Sequence, residues 1–321
     1  MQLNKIAKKW TAVLLFVSLA AGFCAGCAKQ APNQLNIAEQ FGIAYAPLQI
    51  MKQQKLLEKR LPGVTVNWKQ FGGPTAIREG MLAGEIDFGF MGPAPVLMGI
   101  DNGMKWKFAT GISFNEMAIM VKNPQVQKLG DLTKNDRIAI LSPACTQHVL
   151  LCMAAERELG DANYFDSQLV SMSHPDAANA LMTNTEVTAH VATPPYIGTE
   201  LDAGMHSIYT GEEIMGQPFT FITGVAMEDF YRERPKDYQV FIESLNEAID
   251  YINRNPEQAA ADLAPVYGIS EEELYEQMTY RGTIYSNRLE GIEKLSDAMR
   301  RMGFVKNSPE MEEMIFPNVN S

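Results

Sequence analysis

The amino-acid sequence predicts a two-lobed α/β fold, and three observations carry that expectation. Residues 35–121 alternate short apolar strands with amphipathic helices. The alternation restarts near Leu129 and runs to Ala226. From Met227 onward the pattern is almost purely helical. Strands and helices alternating at these lengths build a mainly parallel sheet with helices on its faces. Two such units followed by a helical tail predict two lobes, with the tail packed back on the first.

The chain opens with Lys5, Lys8 and Lys9, an apolar run from Trp10 to Phe23, and Cys24-Ala25-Gly26-Cys27. A basic start, a short apolar stretch and small residues at its end are the pattern of an export signal rather than a spanning helix. Residues 1–26 are expected to be that signal, and the protein to work outside the cytoplasm. The small residues ahead of Cys27 resemble the lipobox of bacterial lipoproteins, although Cys24 stands where that motif usually has Leu. The resemblance implies a lipid on Cys27 that holds the chain to a membrane surface. Ordinary cleavage without lipid is the alternative. Residues 27–34, with Pro32, read as a tether.

Leu35–Ala38 is expected to be the first strand. Apolar Leu48, Met51, Leu56 and Leu57 predict a helix over Pro47–Lys59, and Val64–Trp68 alternates as a strand does. Pro74–Ala83 reads as a helix with proline in its first turn, where the missing N–H costs nothing. Ile86–Met91, Lys107–Phe114 and Glu116–Val121 are expected strands, with a helix over Pro95–Asn102. In the second unit the expected strands are Arg137–Leu141, Leu169–Met172, Val187–Val191, Ser207–Tyr209 and Phe219–Ala226. Its helices are Thr146–Leu159, Asp176–Met182 and Pro195–Ala203. The tail is read as helices over Lys236–Asn253, Pro256–Val266, Ser270–Met278 and Leu289–Met302.

Hydrophobic content of 46% and charged content of 20% are those of a globular chain. The net charge is −11, and loss of the three signal lysines takes it to −14. That balance argues against nucleic acid and against a basic membrane-binding face. With Cys27 acylated, Cys145 and Cys152 remain, about 10 Å apart along a helix at ~1.5 Å per residue. A disulfide needs Cα atoms within about 7 Å, so two free thiols are expected.

Ligands of open α/β sheets sit beyond the carboxyl ends of strands, and helix N-termini there favour negative charge. Four turns fit: Gly72-Gly73-Pro74-Thr75, Gly92-Pro93-Ala94, Cys145-Thr146-Gln147 and Thr193-Pro194. These loops contain almost no Arg or Lys, so an anion would be held by backbone amides and hydroxyls. Each could also be an ordinary strand–helix turn. Tyr45 and Tyr196 are candidate pocket walls, as are Phe41, Phe71 and Phe114, which suit core packing equally well. Glu39 and Glu116 could receive an ammonium group or simply face solvent, and Asn115, next to Glu116, is a further candidate for ligand binding. His190, at a strand end near Thr193, could reach a ligand or be satisfied in the core. His148, His174, His190 and His206 show no metal-site spacing. Cys145 and His148 have no third group to orient them, so Cys145 is read as lining rather than as a nucleophile. No catalytic residue and no cofactor is expected.

Several segments resemble one family. They are Ile37–Pro47, Trp68–Pro74 followed by Ala83-Gly-Glu-Ile-Asp-Phe-Gly89, Met91–Pro95, Pro143–His148 and His190–Tyr196. They are similar to the periplasmic solute-binding proteins of nitrate, sulfonate and taurine ABC importers, within a wider group that includes thiamine-precursor binders. The resemblance implies a type II periplasmic-binding-protein fold with two hinge crossovers, near Met120 and Gly224. Lobe 1 would be 35–120 and 225–321, including the helical tail, and lobe 2 would be 121–224. It implies a monomer that captures a small anionic or zwitterionic solute and delivers it to a permease and its ATPase. A receptor for a thiamine pyrimidine or an aromatic compound, or an enzyme on the same fold, is the alternative.

Overall fold

A computed structural model describes residues 33–183, 186–280 and 283–319. The expected signal, Cys27 and the tether up to Pro32 lie outside the described residues. Among the described residues, ten strands form two five-stranded sheets. Strands β1 (Gln34–Gln40), β2 (Thr65–Phe71), β3 (Phe88–Met91) and β4 (Trp106–Ser113) come first. Then follow β5 (Ala118–Val121), β6 (Ile138–Ile140), β7 (Leu169–Ser171), β8 (Ala189–Ala192), β9 (His206–Thr210) and β10 (Ile222–Met227). The sheet orders are β2-β1-β3-β10-β4 and β7-β6-β8-β5-β9. Four of the eight pairs are parallel. The other four, β10 against β3 and β4 and β5 against β8 and β9, are antiparallel, so the sheets are mixed rather than mainly parallel as expected. Each sheet therefore holds one reversed strand, and that strand is the one arriving from the other sheet.

The chain passes between sheets over residues 114–117 and again over 211–221. Met120 lies inside β5 and Gly224 inside β10. Both passages thus fall several residues before the positions expected from sequence. The apolar runs that read as the end of one unit are the first strand of the next. Shorter elements also start late: the last strand begins at Ile222 rather than Phe219, and the helix near Pro195 spans Tyr196–Asp202.

Alternation along strands puts helices on both faces of each sheet. Phe88 stacks on Phe241 of the helix Pro235–Arg254, with ring centroids 3.9 Å apart. At the next residue, Gly89, a Cβ would stand 2.8 Å from Ile77 of the helix Pro74–Leu82. The tail helix therefore covers one face of the first sheet, as expected, and Pro74–Leu82 covers the other. In the second sheet, Ile119, Val121, Ile138 and Ile140 share a core with Val149 and Leu150 of the helix Thr146–Leu159. Met120 and Ala139 face Ala177, Leu181 and Ile197 on the helices His174–Met182 and Tyr196–Asp202.

The segment 284–290 runs beside both passages. Phe114 and Ile284 exchange backbone hydrogen bonds at 2.8 and 3.0 Å, and Gly111 N–H donates to Asn287 at 2.8 Å. Thr220 N–H donates to Glu290 at 2.9 Å. Gly111 is needed for this approach: a Cβ there would overlap the Arg288 carbonyl and stand 3.2 Å from that of Ser286. Backbone cannot step aside as a side chain can. Gly111→Ala is expected to lower stability by about 3 kcal/mol, the upper range for overpacking, measured by denaturant unfolding. A loss below about 0.5 kcal/mol would show that the segment moves freely.

Candidate functional site

Loops at the carboxyl ends of six strands meet between the two sheets. From the first sheet come Gln40, Phe41, Ala44 and Tyr45 after β1, Gly72 and Pro74 after β2, and Gly92 and Pro95 after β3. Phe221 and Ile222 add the start of β10. From the second sheet come Leu141, Cys145, Thr146 and Gln147 after β6, His174 after β7 and Thr193 after β8. The space they enclose is about 20 Å³, room for one water molecule. The cleft is closed.

Of four glycines at the closure, three would meet the facing lobe at ordinary contact distance if they carried a Cβ, and one would not tolerate it. A Cβ at Gly42 would lie 3.5 Å from the Pro194 carbonyl, at Gly72 3.7 Å from Ser173 Cβ, and at Gly73 3.8 Å from the Leu141 carbonyl. At Gly92 it would collide with Thr146 Oγ1 and stand 2.9 Å from Thr146 Cβ. Directly beside it, Ala94 N–H donates to Thr146 Oγ1 at 3.1 Å across the cleft. Ala94 belongs to the first turn of Pro93–Asp101, and Thr146 is the first residue of Thr146–Leu159. Two helix N-termini, each a positive dipole end, thus confront one another over the pocket; at Pro93–Asp101 the two prolines carry no N–H and the Ala94 N–H is taken by Thr146. Pro74 brings a third at Pro74–Leu82.

The fourth expected helix start differs. Tyr196–Asp202 has Pro195 at its N-cap, so Thr193 and Pro194 precede the helix, and Thr193 contributes as a loop residue. Of the other residues expected at the site, Tyr45, Gly72, Gly92, Cys145, Thr146 and Gln147 line the pocket. Gly73 borders Leu141 at its edge, and Pro93 is the first residue of its helix. Thr75 is exposed and is not part of the lining. Asn115 is buried in the first passage and does not line the pocket. Glu39 is buried away from it, both carboxylate oxygens 2.7 Å from Gln49 Nε2. Desolvation pushes its pKa up to about 7.

Tyr196 and His190 stand behind the lining, in contact with His174. The Tyr196 ring stacks on His174 at 5.6 Å. Gln147 Nε2 lies 3.1 Å from His174 Nε2, His174 Nδ1 lies 2.8 Å from His190 Nε2, and His190 Nδ1 lies 2.5 Å from Glu200 Oε1. All four side chains are buried, Glu200 and His190 completely. Burial alone holds His190 near pKa 3 and lifts Glu200 to about 8. It also lowers His174, with the neighbouring His190 adding to the effect. This row connects residues 147, 174, 190 and 200, and only the return of the chain to the same strand ends reveals it. His174 was legible in part: it opens the helix after β7 as Cys145 precedes the helix after β6.

Cys145 and Cys152 are free thiols, as expected. A helix start ordinarily lowers a thiol pKa, but burial raises that of Cys145. Its sulfur caps the helix by accepting the His148 N–H at 3.4 Å. His148, Cys152 and Asp166 bring one potential ligand atom each within 4.8 Å of one another. The geometry opposes a metal there. His148 Nδ1 accepts the Ala144 N–H at 2.9 Å, which leaves the ring proton on Nε2, the atom facing Asp166 at 3.5 Å. Burial raises the Cys152 thiol to about 12.

An Escherichia coli (strain K12) protein named for binding aliphatic sulfonates is 24% identical over 271 residues, 83% of this chain and 81% of that protein. Among solved structures, the alkanesulfonate-binding protein SsuA from Xanthomonas axonopodis pv. citri bound to MOPS superposes with a TM-score of 0.75. It is 21% identical and covers 89% of this chain and 99% of its own. The periplasmic nitrate-binding protein NrtA from Synechocystis PCC 6803 gives 0.71 at 11% identity, over 88% and 84%. At these identities the structures share the fold, two lobes of the periplasmic-binding-protein type. Residues 28–266 match the family model itself, and the chain belongs to the NMT1-like family.

Proposed function

We propose that this protein is the extracytoplasmic solute-binding component of an ABC importer, that it makes and breaks no covalent bond, and that its solute is a small organic anion of the sulfonate class. The observation that carries this is the closed pocket, where three helix N-termini from facing lobes and glycines of the first sheet meet without a single Arg or Lys among the described residues. Such a lining suits a compact anion held by N–H groups and hydroxyls; the enclosed space holds one water, so lining side chains such as Phe41 must swing aside to admit the anion. It contains no carboxylate for an ammonium group, which favours a simple anion over an aminosulfonate. The sulfonate and nitrate binders that share the fold support the same class.

Passages 114–117 and 211–221 act as the hinge between lobe 1, which includes the tail, and lobe 2. The solute binds the closed form better than the open one, and that difference is the signal a permease and its ATPase read. Export by residues 1–26, a lipid on Cys27 and a monomeric state complete the proposal.

Thermal-shift screening of the purified protein with alkanesulfonates tests it. A solute at 100 times its Kd stabilises by about 2.7 kcal/mol. Thr146→Val removes the acceptor of the Ala94 N–H, and Tyr45→Ala removes a wall. Each is expected to reduce the shift by half or more. Full shifts in both variants would remove the pocket from solute binding.

A further inference from the structure

Among the described residues, His174 is the only basic side chain lining the pocket, and behind it stands a buried carboxyl. We propose that the row Gln147–His174–His190–Glu200 is a proton-linked specificity device, which makes the pocket accept an anion together with one proton. The proposal rests on reading this pocket as the solute site.

The hydrogen bonds admit two complete patterns. With Glu200 ionised, Gln147 NH2 donates to His174 Nε2, His174 Nδ1–H donates to His190 Nε2, and His190 Nδ1–H donates to the carboxylate. The row then carries a charge of −1. One proton arriving at His174 Nε2 shifts each link in turn. His174 passes its Nδ1 proton to His190 Nε2, and His190 passes its Nδ1 proton to Glu200. Both rings end neutral with the proton on Nε2, Glu200 is a neutral acid, and the row carries no charge. Every contact is preserved with donor and acceptor exchanged. Gln147 must then present its carbonyl oxygen to His174, which releases its NH2 toward the pocket it lines. An anion gains an amide donor and loses a buried negative charge behind His174.

The surroundings leave Glu200 to govern this exchange. Glu200 Oε2 is buried without a hydrogen-bond partner among the described residues, so the ionised form rests on His190 alone. Beside His190 in the sheet stand Met120 and Ala139, which carry no charge. The apolar cluster packed with Met120 and Ala139 takes Ala177, Leu181 and Ile197 from the helices His174–Met182 and Tyr196–Asp202, and Tyr280 from the tail. Tyr196, stacked on His174, is held up near 12 by burial and by Asp176. Asp176 itself is engaged by the Ser173 hydroxyl at 2.5 Å. Cys145, on the pocket side, is pushed upward by burial. None of these supplies a positive charge, and burial sets Glu200 to about 8.

Two measurements test the device. In the protein without solute, nitrogen NMR of the imidazole rings is expected to show both His174 and His190 protonated on Nε2 at pH 6 and on Nδ1 at pH 9.5. The change should be absent in Glu200→Gln. One unchanging tautomer across that range in the unsubstituted protein would overturn the switch. The second is calorimetry with ethanesulfonate in two buffers of different protonation enthalpy. A sulfonate does not titrate here, so any proton taken up goes to the protein. Uptake is expected near zero at pH 6, approaching one per solute at pH 9, with affinity falling about tenfold per pH unit above the Glu200 pKa. Glu200→Gln, or His190→Gln should the first variant not fold, is expected to take up none. Binding without uptake at pH 9 would overturn the coupling. No binding at any pH would reject the solute reading and the coupling with it, while the ring titration still decides whether the row switches.

Discussion

Gly92→Ala is expected to weaken solute capture at least 100-fold and to hold the lobes apart. The added Cβ overlaps Thr146 Oγ1 and lies 2.9 Å from Thr146 Cβ. Thr146 cannot rotate away without losing the bond from Ala94 N–H. That N–H is buried, and leaving it unpaired costs about 1–3 kcal/mol. Added to the steric penalty of about 1–3 kcal/mol, the closed form loses the few kcal/mol that a 100-fold change requires. The open form has no such clash, so the loss appears in closure rather than in folding. Titration calorimetry with an alkanesulfonate reads the affinity, and small-angle scattering reads the radius of gyration with saturating solute. The parent should contract and the variant should not. A variant that contracts fully would show that the two helix ends do not need to touch.

The second large effect is on stability against pH. Glu39 and Glu200 have folded pKa values raised to about 7 and about 8 from 4.5. A raised carboxyl keeps its proton in the folded state after the unfolded chain has released it. Its stabilisation is complete below pH 4.5 and is lost as pH rises to the folded pKa. His190, lowered to about 3, and His174, also lowered, act the opposite way. They favour the folded state fully above 6.5 and lose that contribution as pH falls. The trends cancel between about pH 5 and 6.5, leaving a plateau. Above it the two carboxyls act alone, and stability is expected to fall by roughly 2–3 kcal/mol from pH 6.5 to 8 at ~1.36 kcal/mol per unit per group. Urea unfolding across that range measures it. Glu200→Gln should remove more than half of the slope. A stability that rises toward pH 8 would contradict the burial of these carboxyls.

What could be read from sequence was whatever depends on neighbours in the chain. The strand–helix alternation, the glycine- and proline-marked turns and the spacing of two cysteines are local, and they located both sheets and most pocket loops. Facing was harder. β1 is buried on both sides from Leu35 to Gln40, so no polar alternation distinguishes Glu39, which turns to Gln49, from Gln40, which lines the pocket. His174-Pro175-Asp176 has the look of an ordinary helix start. Its meaning comes from His190 and Gln147, which lie 16 and 27 residues away and are joined only by the return to adjacent strands. The passages were placed late because Ala118–Val121 and Ile222–Met227 are apolar strands whichever sheet receives them.

The reversed strands also set an order of assembly. The second sheet comes from one unbroken stretch, Ala118 to Thr210, and can be completed as soon as that stretch exists. β4 joins the first sheet only through β10, the strand between it and β3. A chain emerging amino end first therefore holds β4 without a neighbour until residue 227 is made. The mouth between the lobes cannot be shaped before then, and a nascent chain has nothing with which to trap a solute prematurely.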